Sequence, residues 1–142
     1  MEVKKMEEQD LEQIRVLYKE LAPDGCSLET LKKNFDRIKD LPEYAVLVAK
    51  EGDQVLGSAI GIICVALDTP FLVVENVVVD ESCRGMGIGR KIFEALDAFA
   101  LENGCGYAML ASSGFRHGAH CFYEAIGFDD DVRGFRKYYG KE

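Results

Sequence analysis

The chain begins with a short alternating stretch, residues 2–6, whose period predicts a first strand. Asp10 then starts a helix, with Gln13 three residues on in the manner of a capping box, and Leu11, Ile14, Leu17 and Leu21 as its apolar stripe. Pro23-Asp24-Gly25 is a turn. Ser27 can cap a second helix whose stripe is Leu28, Leu31, Phe35 and Ile38, with Pro42 beyond its end. The texture then changes. Residues 44–50 and 54–65 read as a hairpin turning through Glu51-Gly52-Asp53. Residues 71–79 (FLVVENVVV) form a Val-rich run interrupted by Glu75 and Asn76, which predicts a central strand covered on both faces. Residues 88–103 carry the strongest helical period, on Ile88, Ile92, Leu96, Phe99 and Ala100, and Gly104 stands where a C′ glycine belongs. Residues 106–111 read as another buried strand and 117–126 as a helix stopped by Gly127. Phe128 and residues 135–139 suggest a last hairpin turning through Asp129-Asp130-Asp131 and Gly134. The order predicts an α/β (α+β) sandwich in one domain spanning 1–142, with a mixed central sheet of about six to seven strands and about four flanking helices.

Composition narrows the function. With 142 residues, 48% hydrophobic and 30% charged, the chain can bury one core and stay in solution. No apolar run is long enough to span a bilayer, and the N-terminus lacks the apolar stretch of a signal peptide, so a cytoplasmic protein is expected. The net charge of −8 is uneven: residues 1–83 carry all of it, while 84–142 are balanced. An acidic first half argues against nucleic acid and suits a cationic substrate. The five cysteines form no CxxC pair and the two histidines give no metal-ligand spacing, so neither a disulfide framework nor a zinc site is expected. Reduced thiols fit a reducing compartment, with Cys64 and Cys105 as small core residues.

The segment Cys83-Arg84-Gly85-Met86-Gly87-Ile88-Gly89-Arg90-Lys91 carries the chemistry. It joins a buried strand to the strongest helix. Three glycines in five residues let the backbone approach a ligand and aim several N–H groups at one place. The helix adds the positive end of its dipole, and Arg84, Arg90 and Lys91 add cations. A pyrophosphate is the natural tenant. The spacing is neither that of a Walker loop nor the GxGxxG dinucleotide fingerprint.

Glu75 to Phe128 resembles the core of the GNAT superfamily of acetyl-CoA-dependent N-acetyltransferases. That family carries Arg or Gln, two residues, Gly, one residue, then Gly or Ala. Arg84-Gly85-Met86-Gly87-Ile88-Gly89 matches every fixed position. Ala119-His120-Cys121-Phe122-Tyr123, followed by Gly127-Phe128, matches the family's second motif, a helix with Ala-x-x-Phe-Tyr and then Gly-Phe.

The resemblance implies acetyl-CoA as co-substrate and no metal. It implies that the backbone of Val77, Val78 and Val79 pairs with the pantetheine arm, with the Val77 N–H as oxyanion donor. Arg84, Gly85, Met86, Gly87, Ile88, Gly89 and Arg90 would hold the pyrophosphate. Tyr123 would protonate the departing thiolate as general acid. Glu75 is the candidate base, since an ammonium must lose a proton before it attacks and a carboxylate enclosed in an apolar strand favours accepting one. Arg116 replaces an Asn that often binds the cofactor, and Ser113, like Ser112, could reach the cofactor arm. His117 and His120 are weaker bases, and Cys121 reads as packing rather than as an acyl carrier. The implied reaction moves acetyl to a primary amine of a small-molecule or peptide acceptor by direct attack. The Pro23–Ser27 loop and the Asp129–Gly134 hairpin would meet that acceptor, and homodimers are common in the family. The rival reading is a non-catalytic acyl-CoA sensor or interaction module; a third, a nucleotide-binding protein, is disfavoured by the loop spacing.

Overall fold

A computed structural model of the protein describes residues 1–111 and 117–140, which fall into two units, Met1–Met109 and the part after it, from Leu110. The first unit holds strands β1 (Glu2–Lys5), β2 (Tyr44–Glu51), β3 (Gln54–Val65), β4 (Pro70–Val79) and β5 (Ala108–Met109). It also holds helices α1 (Leu11–Leu17), α2 (Leu28–Ile38) and α3 (Ile88–Glu102). The sheet runs in the order β1-β2-β3-β4-β5. The first four strands form an antiparallel meander, and α3 carries the chain across to β5, which lies parallel to β4.

One face of the sheet packs on α1 and α2. Leu11, Ile14, Leu17 and Phe35 join Val46, Val48, Val55 and Val78 in one buried cluster. The other face takes α3, whose Ile92, Phe93 and Leu96 are buried. Two glycines set how close α3 comes. A Cβ on Gly57 would stand 2.9 Å from the Val78 carbonyl oxygen and 3.3 Å from Ile92 Cδ1; one on Gly61 would stand 2.8 Å from Leu96 Cδ2. Isolated glycines inside a strand mark such close approaches. The seat they provide fixes the N-terminal end of α3 against β3.

The entry to α1 differs from the expected capping box. A 3-10 turn over Glu8–Asp10 precedes the helix, and Asp10 is its last residue. Asp10 is 1% exposed. Its Oδ2 accepts the Glu7 N–H at 2.8 Å, and its Oδ1 accepts from Lys50 Nζ at 2.8 Å across the sheet. That hydrogen bond raises the Lys50 pKa, against the opposing pull of desolvation. Gln13, the expected partner in the box, instead clamps the β2–β3 turn: its Nε2 donates to the Asp53 carbonyl at 2.9 Å while its Oε1 accepts the Val55 N–H at 2.8 Å. Ser27 caps α2 as expected, accepting the Thr30 N–H at 3.1 Å. Gly104 ends α3 in the left-handed region, with the Cys105 N–H closing on Ala100 at 3.0 Å. Cys64 and Cys105 are half-buried rather than enclosed, and burial pushes the Cys105 thiol up.

Five strands are present among the described residues, against the six to seven expected. The last hairpin accounts for the difference. Phe128 and residues 135–139 form no strand, and Phe135, Tyr138 and Tyr139 are 89%, 64% and 81% exposed. Alternate side chains there satisfy one another instead, Arg136 lying 5.8 Å from the Tyr138 ring centre and Lys137 5.6 Å from that of Tyr139. Among the described residues of the second unit, α4 (His117–Ala125) is the regular element.

Candidate active site

The glycine segment forms a turn with two left-handed residues, Gly85 at φ 85° and Gly87 at φ 80°. A Cβ at either would meet nothing within 4 Å, so the torsion angle is what calls for glycine there. Gly87 is the N-cap of α3 and supplies no side-chain cap, and the first turn holds no acidic residue. The first turn's N–H groups therefore keep their donor capacity, with the dipole behind them. Contrast α2, where Ser27 fills that role. Asp80 braces the approach to the loop. Its Oδ1 accepts from Ser82 Oγ at 2.8 Å and from the Ser82 N–H at 3.0 Å, and these bonds, with Arg84 close by, hold its carboxyl below the ordinary range. Arg84, Met86 and Arg90 are exposed, and Ile88 is buried beneath.

β4 leads directly into this loop, and it carries a bulge. Ser58 pairs with Val78 and Ile60 with Glu75, so Ala59 faces both Asn76 and Val77. Asn76 takes φ 53°, the left-handed region that Asn tolerates best after Gly. The extra residue flips the side-chain phase. Leu72 sits beside Gly61 under α3, whereas Val78 points into the cluster with α1 and α2. β5 pairs with β4 only at Leu72 and Val73, so from Val74 to Val79 the β4 edge has no strand partner on that side among the described residues. The Asp80 N–H turns to β3, reaching the Leu56 carbonyl at 2.7 Å. By alternation the Val78 groups also face β3, and those of Val77 and Val79 face the open edge.

Glu75, paired with Ile60 just before the bulge, is exposed rather than enclosed in an apolar strand. The expected burial of this carboxylate is thus corrected. In the second unit, Tyr123 is half-buried on α4 between aromatic neighbours. Its ring lies 5.6 Å from Phe122 and, edge-on, 6.2 Å from Phe128. Ser112, Ser113 and Arg116 fall outside the described residues, as does the side chain of His117.

The Acetyltransferase (GNAT) family model matches residues 11–128. The chain belongs to the GNAT acetyltransferase family. Solved structures agree. A candidate acetyltransferase of Agrobacterium tumefaciens str. C58 is 26% identical, with a TM-score of 0.88 over 98% of this chain and 100% of its own. Glucosamine-6-phosphate N-acetyltransferase of Arabidopsis thaliana is 23% identical, at a TM-score of 0.83 over 97% of both chains. AAC(6')-Iy, in complex with the bisubstrate analogue CoA-S-monomethyl-acetylneamine, is 22% identical, at 0.80 over 97% and 98%. At such identities the latter two speak for the fold alone. No curated protein sequence matches the chain.

For this GNAT chain, sequence reasoning passed over two contributors. Gly57 and Gly61 seat the helix that bears the anion loop; their signal was a pair of glycines inside an otherwise Val- and Ile-rich strand. Glu20, on a 3-10 turn over Tyr18–Glu20, places both carboxylate oxygens 3.2 Å from Arg84 Nη2. No sequence signal links two residues 64 positions apart.

Proposed function

We propose that the protein is an N-acetyltransferase that moves acetyl from acetyl-CoA to a primary amine of a cationic acceptor by direct attack. The observation that carries this reading is the uncapped, carboxylate-free N-terminus of α3, with its two left-handed glycines, lying just past the open edge of β4. A pyrophosphate fits the first and an extended amide-bearing arm fits the second. Together they match the shape and chemistry of CoA, and family membership supports the same cofactor. ATP or NAD would use the loop but leave the strand edge idle.

In this reading Val77 and Val79 pair with the pantetheine arm, and the Val77 N–H polarises the thioester carbonyl. Val78 serves by holding the bulge against β3. Glu75, exposed at the bulge, takes the ammonium proton directly or through water. The amine attacks the thioester carbon, the tetrahedral intermediate collapses, and the CoA thiolate leaves with a proton from Tyr123. Ser113 and Arg116 complete the cofactor contacts. The acidic first half of the chain favours a cationic acceptor. We read residues 1–142 as one acetyltransferase domain, since the family match runs through both units.

Calorimetric titration with acetyl-CoA, ATP and NAD tests the cofactor. Selective binding of acetyl-CoA is expected, and failure of the folded protein to bind it would overturn the reading. A thiol-release assay over a panel of amines then separates an enzyme from a sensor that holds acyl-CoA without turnover.

A further inference from the structure

Arg84 opens the anion loop, yet its guanidinium is committed elsewhere. It reaches Glu20 on the connection between α1 and α2, with Nη2 3.2 Å from each carboxylate oxygen. One nitrogen serves both oxygens, so this is an end-on contact and not the stronger two-nitrogen fork. Arg84 remains 56% exposed and Glu20 26%, which leaves the pair open to exchange with an incoming anion. Tyr18 and Leu21 pack on the α1/α2 core on either side of Glu20, while Ala22, Pro23 and Asp24 beyond them are exposed.

We propose that Glu20 competes with the cofactor's pyrophosphate for Arg84, so that cofactor binding releases the Glu20–Gly25 connection. The inference rests on the cofactor reading above. A pyrophosphate at the loop presents at least two negative charges to Arg84, where Glu20 presents one. It also brings like charge toward the Glu20 carboxylate, which repels it. Arg84 turns to the phosphates, and the connection between α1 and α2 loses its tie to the cofactor loop. Occupancy of one site thereby alters the segment expected to meet the acceptor.

The test is calorimetric titration of the full chain with CoA, for wild type, Glu20→Gln, Arg84→Gln and the double variant. An exposed ion pair sets the scale. Glu20→Gln is expected to bind CoA about two- to fivefold more tightly. Arg84→Gln binds more weakly, and in its background Glu20→Gln has no further effect. Pantetheine, which lacks the pyrophosphate, does not distinguish Glu20→Gln from wild type. Hydrogen exchange in residues 20–25 speeds up on CoA binding in wild type and does not change in Glu20→Gln. Equal or weaker binding by Glu20→Gln overturns the inference, as does tightening that survives Arg84→Gln, which would mark simple repulsion. Those results leave the acetyltransferase reading standing. If no variant binds CoA, that reading falls and the inference with it.

Discussion

The Phe128 N–H donates to the Tyr123 carbonyl at 2.9 Å, and the two rings meet edge-on at 6.2 Å. With the Gly127 N–H closing on Glu124 at 3.1 Å, this is a Schellman ending complete with its apolar contact. The Gly-Phe pair that follows the Phe-Tyr pair in the sequence therefore has a mechanical meaning. Gly127, at φ 107°, ends α4, and Phe128 folds back to brace the ring of the candidate acid.

Tyr123→Phe should lower turnover by about a hundredfold or more while leaving CoA affinity nearly intact. Gly127→Ala should cost about 1–3 kcal/mol in stability through its torsion. Phe128→Ala should act through Tyr123: turnover falls, and it falls no further when added to Tyr123→Phe. Steady-state kinetics on the three proteins and the double variant check this, and a full additive loss would deny the bracing.

The glycines divide into two kinds, and substitution should tell them apart. Gly57→Ala or Gly61→Ala drives a methyl group into a carbonyl or a Leu side chain and should cost about 1–3 kcal/mol, seen as a lower thermal midpoint. Because Gly57 also meets Ile88 Cγ2 at 3.4 Å, its variant should weaken CoA binding by displacing the start of α3. Gly87→Ala meets no atom within 4 Å, so its stability cost comes from the left-handed torsion alone, about 1–2 kcal/mol. Its loss of CoA affinity should nonetheless exceed that of Gly61→Ala. Denaturant titrations paired with calorimetry decide between these patterns.

Much of this was readable in the sequence. The apolar periods of α1, α2 and α3, the hairpin turn at Gly52 and the helix stops at Gly104 and Gly127 all express local rules, and the structure follows them except at Leu21, which lies past the end of α1, and Leu28, which is exposed. What escaped was decided by distant contacts. Asp10 looked like a helix cap because its local spacing fits one, but Lys50 from β2 claims it. Residues 135–139 look like a strand by composition, but a strand needs a neighbour, and none pairs with them among the described residues. The bulge at Asn76 was visible only as a polar interruption. Its effect on side-chain phase follows from the register with β3, which the β4 sequence does not contain. The anion loop was legible because it is contiguous; the Arg84–Glu20 contact was not, because it is not.

The buried Asp10–Lys50 pair makes a prediction about substitutions taken together. Removing one partner leaves the other charged and enclosed; removing both leaves only a volume to fill. Asp10→Leu alone, or Lys50→Met alone, should destabilise the fold more than the double variant does. The pair also gives an alkaline signature. The Lys50 pKa is raised in the folded state, so its contribution is fully present below the unfolded value and is lost as pH rises through the folded one. Chemical denaturation of the four proteins, repeated toward alkaline pH, measures both effects. A double variant less stable than both single variants would reject this account.

Tyr18 allows a sharper test of alkaline behaviour, since its phenol is pushed from 10.0 up to about 12 by burial, against the lowering effect of the Ser58 hydroxyl. Ser58 is itself fully buried. Burial penalises the phenolate, so the folded protein holds this proton more tightly than the unfolded chain does. The stabilisation is fully present below about pH 10 and is lost as pH climbs toward about 12. The tyrosinate absorbance of the wild type, which has six tyrosines, should therefore include a component near pH 12 that is missing from Tyr18→Phe. Tyr18→Phe should also lose less stability than wild type between those two pH values. Identical absorbance titrations for the two proteins would show that the phenol is not enclosed as described.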